Sequence, residues 1–202
     1  MQIFISRKWL VALFTAASIV PFSSGRSESA IVKAAKRGDH ETFDELVRAY
    51  QVQFRRFASR RLPPSEVDDV LQDTWLAVWE RIAAYQGEKK FRAWALTICH
   101  HKIQDFWRRN HARPSSALTA CVEGYIPKEY EQVELRESLA AFWEACPPVQ
   151  REVLEMYYSD GLTLKEIGEI LGRNLNTVKY QFYRAHELAE SKLPALTEVM
   201  TP

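Results

Sequence analysis

From Ser27 onward, apolar residues recur at steps of three and four, the period of helices packed on one side. The stretch "SAIVKAAKRGDHETFDELVRAYQVQFRRFASRRL" holds two such patterns, broken at Gly38-Asp39. In the second, Phe43, Leu46, Val47, Tyr50, Phe54 and Phe57 form the apolar stripe. "LPPSEV" interrupts it, and Ser65 is predicted to cap a helix over 66–84. That helix should bury Val67, Leu71, Thr74, Trp75, Val78 and Ile82. "YQGEKK" reads as a turn, and a further long helix is expected over 91–110. There Leu96, Cys99, Ile103 and Phe106 share one side, with Trp94 and Ile98 on another, so both sides have apolar cover to find.

The stretch 111–130 loses this period and gathers Pro114, Ser115, Ser116, Gly124 and Pro127, which marks a linker. Helical patterns return in "EQVELRESLAAFWEA" and "PPVQREVLEMYY". Next comes "LTLKEIGEILGRNLNTVKYQFYRAHE", two short helices around a tight turn. Thr163 and Glu166 have capping-box spacing, and Gly172 suits the left-handed position that ends a helix. In the second helix of the pair, starting near Asn176, Val178, Phe182, Ala185, Ala189 and Leu193 fall on one side. No run of strand alternation is found, so the expected fold is all-α: two small helical domains joined by a flexible linker. The boundaries expected are 1–26 for an extension, 27–112, a linker at 113–130, and 131–196.

Composition narrows the function. The chain has 202 residues, 47% hydrophobic and 26% charged, with a net charge of +1. No whole-molecule field draws it to nucleic acid, so any DNA contact must come from local patches. Cys99, Cys121 and Cys146 lack metal-ligand spacing and a partner count for a disulfide framework. Phosphate-loop, dinucleotide, zincin and nucleophile-elbow motifs are absent, so no cofactor, metal or catalytic centre is expected.

Three faces hold candidate binding chemistry. Opposite the apolar side of the last helix stand Asn176, Tyr180, Tyr183, Arg184 and Glu187, with Lys179 at the edge. A helix–turn–helix lays such a face in the DNA major groove, while a helical hairpin would simply turn it to water. On the helix over 66–84, Leu76 stands among Asp69, Gln72, Asp73 and Glu80, with Trp79 at the margin. That is either a docking face for a basic partner or a solvated face with one stranded leucine. "HHKIQDFWRRNHAR" mixes bases with Phe106 and Trp107, which suits nucleic-acid contact or a helix end with a core beneath it.

Taken together, "AAKRGDHETFDELVRAY", "DDVLQDTWLAVWERIAAYQGEKKFRAWALTICHHKIQDFWRR" and "PPVQREVLEMYYSDGLTLKEIGEILGRNLNTVKYQFYRA" resemble the extracytoplasmic-function (ECF) sigma factors of bacterial RNA polymerase. The resemblance runs over about 29–193, in order. It implies a transcription initiation factor that is not an enzyme and that binds core RNA polymerase and promoter DNA as a monomer. Asp69, Gln72, Asp73, Leu76 and Trp79 would dock on the polymerase clamp helices. The "YQGEKKF" loop and the helix after it would take flipped −10 bases, with His101, Lys102, Arg108 and Arg109 contacting that element. Asn176, Lys179, Tyr180, Tyr183 and Arg184 would contact the −35 element. An anti-sigma partner is usual in the family, although no residue here identifies one. Tyr180-Gln181, Asn176 and His100-His101 depart from the family's common residues, which bears on the promoter sequence read rather than on the class.

Two other readings stay open: a stand-alone helix–turn–helix regulator, and an enzyme built on Cys99, His101 and Asp105. The stretch "RKWLVALFTAASIVPF" has signal-peptide grammar. With a cytoplasmic polymerase partner, a non-cleaved extension or a mis-assigned start is expected, a membrane-associated form being the lesser option.

Overall fold

The computed structural model describes residues 25–87, 90–110 and 141–192, and the regular structure among them is helical. The described helices fall into two compact units, one before the expected linker and one after it. The linker, the N-terminal apolar stretch and Leu193 lie outside the described residues. Among those residues, no helix is long and apolar enough to cross a membrane.

The first unit contains α1 (Glu28–Ala35), α2 (His40–Ser59), α3 (Val67–Ile82) and α4 (Phe91–Arg109). Ser27 caps α1 through the Ala30 amide. Gly38, at φ +89°, makes the break that a side chain would resist. Asp39 then caps α2, accepting from the Thr42 amide at 3.2 Å and from the Thr42 hydroxyl. Those bonds hold the Asp39 carboxyl below its ordinary pKa.

The α2 stripe is buried as expected except at Val47, which is half-buried. Leu46, Phe54 and Phe57 are fully covered, and the Phe54 ring lies 4.6 Å from that of Trp75 on α3. Rings at this spacing add roughly 0.5–1.5 kcal/mol to their area burial. Both flanks of α4 are covered, since Leu96, Cys99 and Ile103 on one side and Ile98 on the other are buried.

The expected cap of α3 is corrected. Pro64–Glu66 form a 3-10 turn, and Glu66 rather than Ser65 stands at the N-cap, without a side-chain bond. Pro63 and Pro64 fix the backbone here, so the Ser65 hydroxyl faces its neighbour and donates to Glu66 Oε1 at 3.2 Å.

The second unit holds helical residues at 141–145, then α5 (Pro148–Leu154), α6 (Leu164–Leu171) and α7 (Leu175–Lys192). A π turn, Glu155–Ser159, follows α5 directly, with the Asp160 amide bonded to the Glu155 carbonyl. Tyr157 and Tyr158 of that turn approach Phe182 of α7, at ring separations of 4.7 and 6.1 Å. Val178, Phe182, Ala185 and Ala189 form the buried side of α7, the four described positions of the expected stripe.

Candidate nucleic-acid interface

Local rules build the helix–turn–helix. Thr163 and Glu166 complete both halves of the capping box, Thr163 Oγ1 accepting from the Glu166 amide at 3.2 Å. Gly172 ends α6 in the left-handed conformation, at φ +64°. The next amide, that of Arg173, bonds back to the Gly168 carbonyl at 2.8 Å. Asn174 caps α7, its Oδ1 accepting from the Thr177 amide at 2.8 Å and the Thr177 hydroxyl at 3.0 Å. Asn174-x-x-Thr177 is the sequence signal for this cap, and α7 accordingly starts one residue before Asn176.

On the outer side of α7, Asn176, Lys179, Tyr180, Tyr183 and Arg184 are all exposed. Tyr180 and Tyr183 are 64% and 57% accessible, far more than a core would leave large aromatics. Arg184 is paired with Glu187 at 2.5 Å. Between exposed groups such a pair contributes at most about 1 kcal/mol, so the guanidinium exchanges readily onto a phosphate.

In the first unit, Asp69, Gln72 and Asp73 are exposed on α3, and Leu76 beside them is 57% accessible. Trp79 is half-buried and already partnered, its ring 4.4 Å from that of His40 and 4.9 Å from that of Phe43. It anchors the face more than it projects from it.

On α4, His101, Arg108 and Arg109 are exposed and Lys102 is half-buried. Arg108 is ion-paired with Asp105. Trp94 and His101, seven residues apart, share one outer side of the helix. The Tyr85 ring stands 5.0 Å from Trp94 and 5.9 Å from Phe91, giving an aromatic cluster at the start of α4, two helical turns before His101. The Lys36 ammonium donates to the Tyr85 carbonyl at 2.5 Å and so fixes the loop to the end of α1. Tyr85 opens the loop expected to take flipped bases, whereas Trp94 and Lys36 were not singled out, and a separation of 49 positions between Lys36 and Tyr85 leaves no local signal of their bond.

Trp107 faces inward instead, its indole N–H donating to the Arg61 carbonyl at 2.9 Å. Phe106 is likewise half-buried, so both rings pack partly against the unit and neither belongs to its fully buried core.

The chemistry of a catalyst does not assemble. Cys99 is fully buried while His101 faces out. Burial raises the Cys146 thiol to about 11. Among the described residues no His, Cys, Asp and Glu side chains gather to hold a metal ion.

Two helical units, the first carrying an acidic-apolar helix face and the second a helix–turn–helix, are the build of a sigma-70 type factor. The sigma-70 region 2 family matches residues 46–113, and the sigma-70 region 4 family matches 144–187. The ECF RNA polymerase sigma-E factor of Escherichia coli (strain K12) is 25% identical over 183 residues, 84% of this chain and 96% of that protein. That of Haemophilus influenzae is 23% identical, over 84% of this chain and 97% of the relative. The structure of CnrH in complex with the cytosolic domain of CnrY superposes with a TM-score of 0.59 at 25% identity, covering 82% and 96% of the two chains. The sigma factor RpoE of Bartonella quintana, solved with the anti-sigma factor NepR, gives 0.54 at 19% identity, over 76% and 98%, and supports the fold. The chain belongs to the ECF sigma factors. It is a transcription initiation factor that directs RNA polymerase to promoters, and it is not an enzyme.

Proposed function

We propose a division of labour between the two units, here taken as 27–112 and 131–196 with 113–130 joining them. The first docks on the clamp helices of core polymerase through Asp69, Gln72, Asp73, Leu76 and Trp79. Acids steer a basic partner, while the exposed part of Leu76 supplies roughly 1 kcal/mol on burial. Its α4 face, with His101, Lys102, Arg108 and Arg109, holds the opened −10 element. The Tyr85–Trp94 cluster gives unstacked bases a surface worth about 1–3 kcal/mol each, which offsets much of the flipping cost. The second unit reads the −35 element as duplex through Asn176, Lys179, Tyr180, Tyr183 and Arg184.

The observation carrying this reading is the exposed polar-aromatic side of α7 on a tightly capped helix–turn–helix. Such a factor works in the cytoplasm. It acts as a monomer and is held in check by an anti-sigma partner, as the Bartonella RpoE and its bound NepR suggest. The test is run-off transcription by Arg184→Ala on templates with and without the −35 element. The variant should lose about tenfold on the first and nothing on the second. Equal loss on both would overturn the −35 assignment.

A further inference from the structure

Arg173 sits in the turn of the helix–turn–helix, outside the expected reading face. Its Nη2 bonds Glu152 Oε2 on α5 at 3.2 Å, and its Nη1 donates to Gln181 Oε1 on α7 at 3.3 Å. One guanidinium therefore ties the preceding helix, the turn and the recognition helix. The pair is largely covered, with side-chain exposures of 28% for Arg173 and 24% for Glu152. Partly desolvated and forked, it is worth more than an exposed ion pair. Its backbone is fixed as well: Gly172 is left-handed on one side, and the Arg173 amide bonds the Gly168 carbonyl. Gln181 is flanked by Tyr180 and precedes Tyr183 and Arg184 on the same helix, so the clasp grips α7 at the level of its reading residues.

We propose that Arg173 is a positioning residue for promoter reading: by bridging Glu152 and Gln181 it sets the angle at which α7 meets the −35 element, without touching DNA itself. The proposal rests on the −35 reading above. A misplacement of a reading helix by even an ångström separates bidentate base contacts from their partners, since hydrogen bonds weaken steeply away from their optimum geometry. Lysine cannot replace the guanidinium here, because one ammonium does not span two fixed acceptors in a fork.

Reversal of the clasp tests this. Full-length Arg173→Glu, Glu152→Arg and the double variant are compared in run-off transcription with core polymerase. Templates with and without the −35 element are used, over a range of salt. Each single change should lose about tenfold on the −35 template alone. The double variant restores the bridge in the opposite sense, the Gln181 amide turning to donate to the introduced carboxylate. It should recover to within about threefold of the parent, with the parent's salt dependence. If Arg173 instead holds a phosphate, the double variant stays as weak as Arg173→Glu and its salt slope falls by about one. That result overturns the proposal. Should the reversed singles fail to fold, Arg173→Met keeps the stem and removes the fork. No −35-specific loss in Arg173→Met also overturns it. A parent protein indifferent to the −35 element would instead remove the reading on which the proposal rests.

Discussion

Gly168 is the position where helix physics gives opposite signs depending on the neighbours. In the middle of an exposed helix, glycine to alanine stabilises by about 1 kcal/mol. Gly168 is buried in α6, and a Cβ there would stand 2.8 Å from the Arg173 carbonyl oxygen. That neighbour is backbone, and its own amide bonds the Gly168 carbonyl at 2.8 Å, so it cannot swing aside without breaking the turn. Forcing an extra carbon into such a contact costs about 1–3 kcal/mol, here toward the upper end. The clash wins, leaving Gly168→Ala about 2 kcal/mol less stable in this unit. Hydrogen exchange read by peptide gives the assay, with α3 and α4 as the internal control. Protection across α6 and α7 should fall roughly thirtyfold while the first unit stays at parental values. Increased protection in α6 would refute the reasoning, because propensity would then outweigh the close approach.

Three further outcomes are expected. Asp73→Lys combined with Leu76→Ala should abolish binding to core polymerase while the circular dichroism spectrum stays parental; wild-type-like binding would remove the docking assignment from α3. His186 accepts from the Tyr158 hydroxyl at 2.7 Å and bonds the Phe182 carbonyl at 2.8 Å, and burial depresses its pKa below the ordinary 6.5. The unfolded chain therefore takes up the proton first as pH falls through about 6.5, and the second unit loses stability below it, by at most about 1.4 kcal/mol per pH unit. His186→Gln should flatten that slope in denaturant titrations, and an unchanged slope would assign the dependence elsewhere. Cys99 and Cys146 should resist a thiol reagent at about pH 8 in the folded protein and react once unfolded, because both are buried and Cys146 is raised to about 11. Peptide mapping checks each thiol separately, and rapid native labelling of Cys99 would revive a nucleophile there.

What the chain revealed before folding was whatever depends on neighbours within a turn or two. The α2 and α7 stripes, the Thr163–Glu166 box and the Gly172 terminus are all set by local spacing, and each appears in the structure. So does the exposure of Leu76, Tyr180 and Tyr183, since a residue opposite an apolar stripe has nowhere else to point. Ser65 misled for a local reason too: two prolines start a 3-10 turn and carry the hydroxyl away from α3. The features that hold the site in place were hidden because they join distant positions. Lys36 reaches Tyr85, Trp107 reaches Arg61, and Arg173 reaches Glu152 and Gln181, pairings that only the packed helices create. Periodicity on α4 was silent for another reason, since its Leu96 and Ile98 flanks are both covered and the stripe wraps around the helix.

Run-off transcription from a pool of genomic fragments, by core RNA polymerase with and without the full-length protein, tests the sigma-factor assignment most directly. Protein-dependent transcripts are predicted, their start sites sharing paired upstream elements at a fixed spacing. Protein that binds duplex DNA yet yields no new transcripts with core polymerase would contradict the assignment and leave a stand-alone DNA-binding regulator in its place.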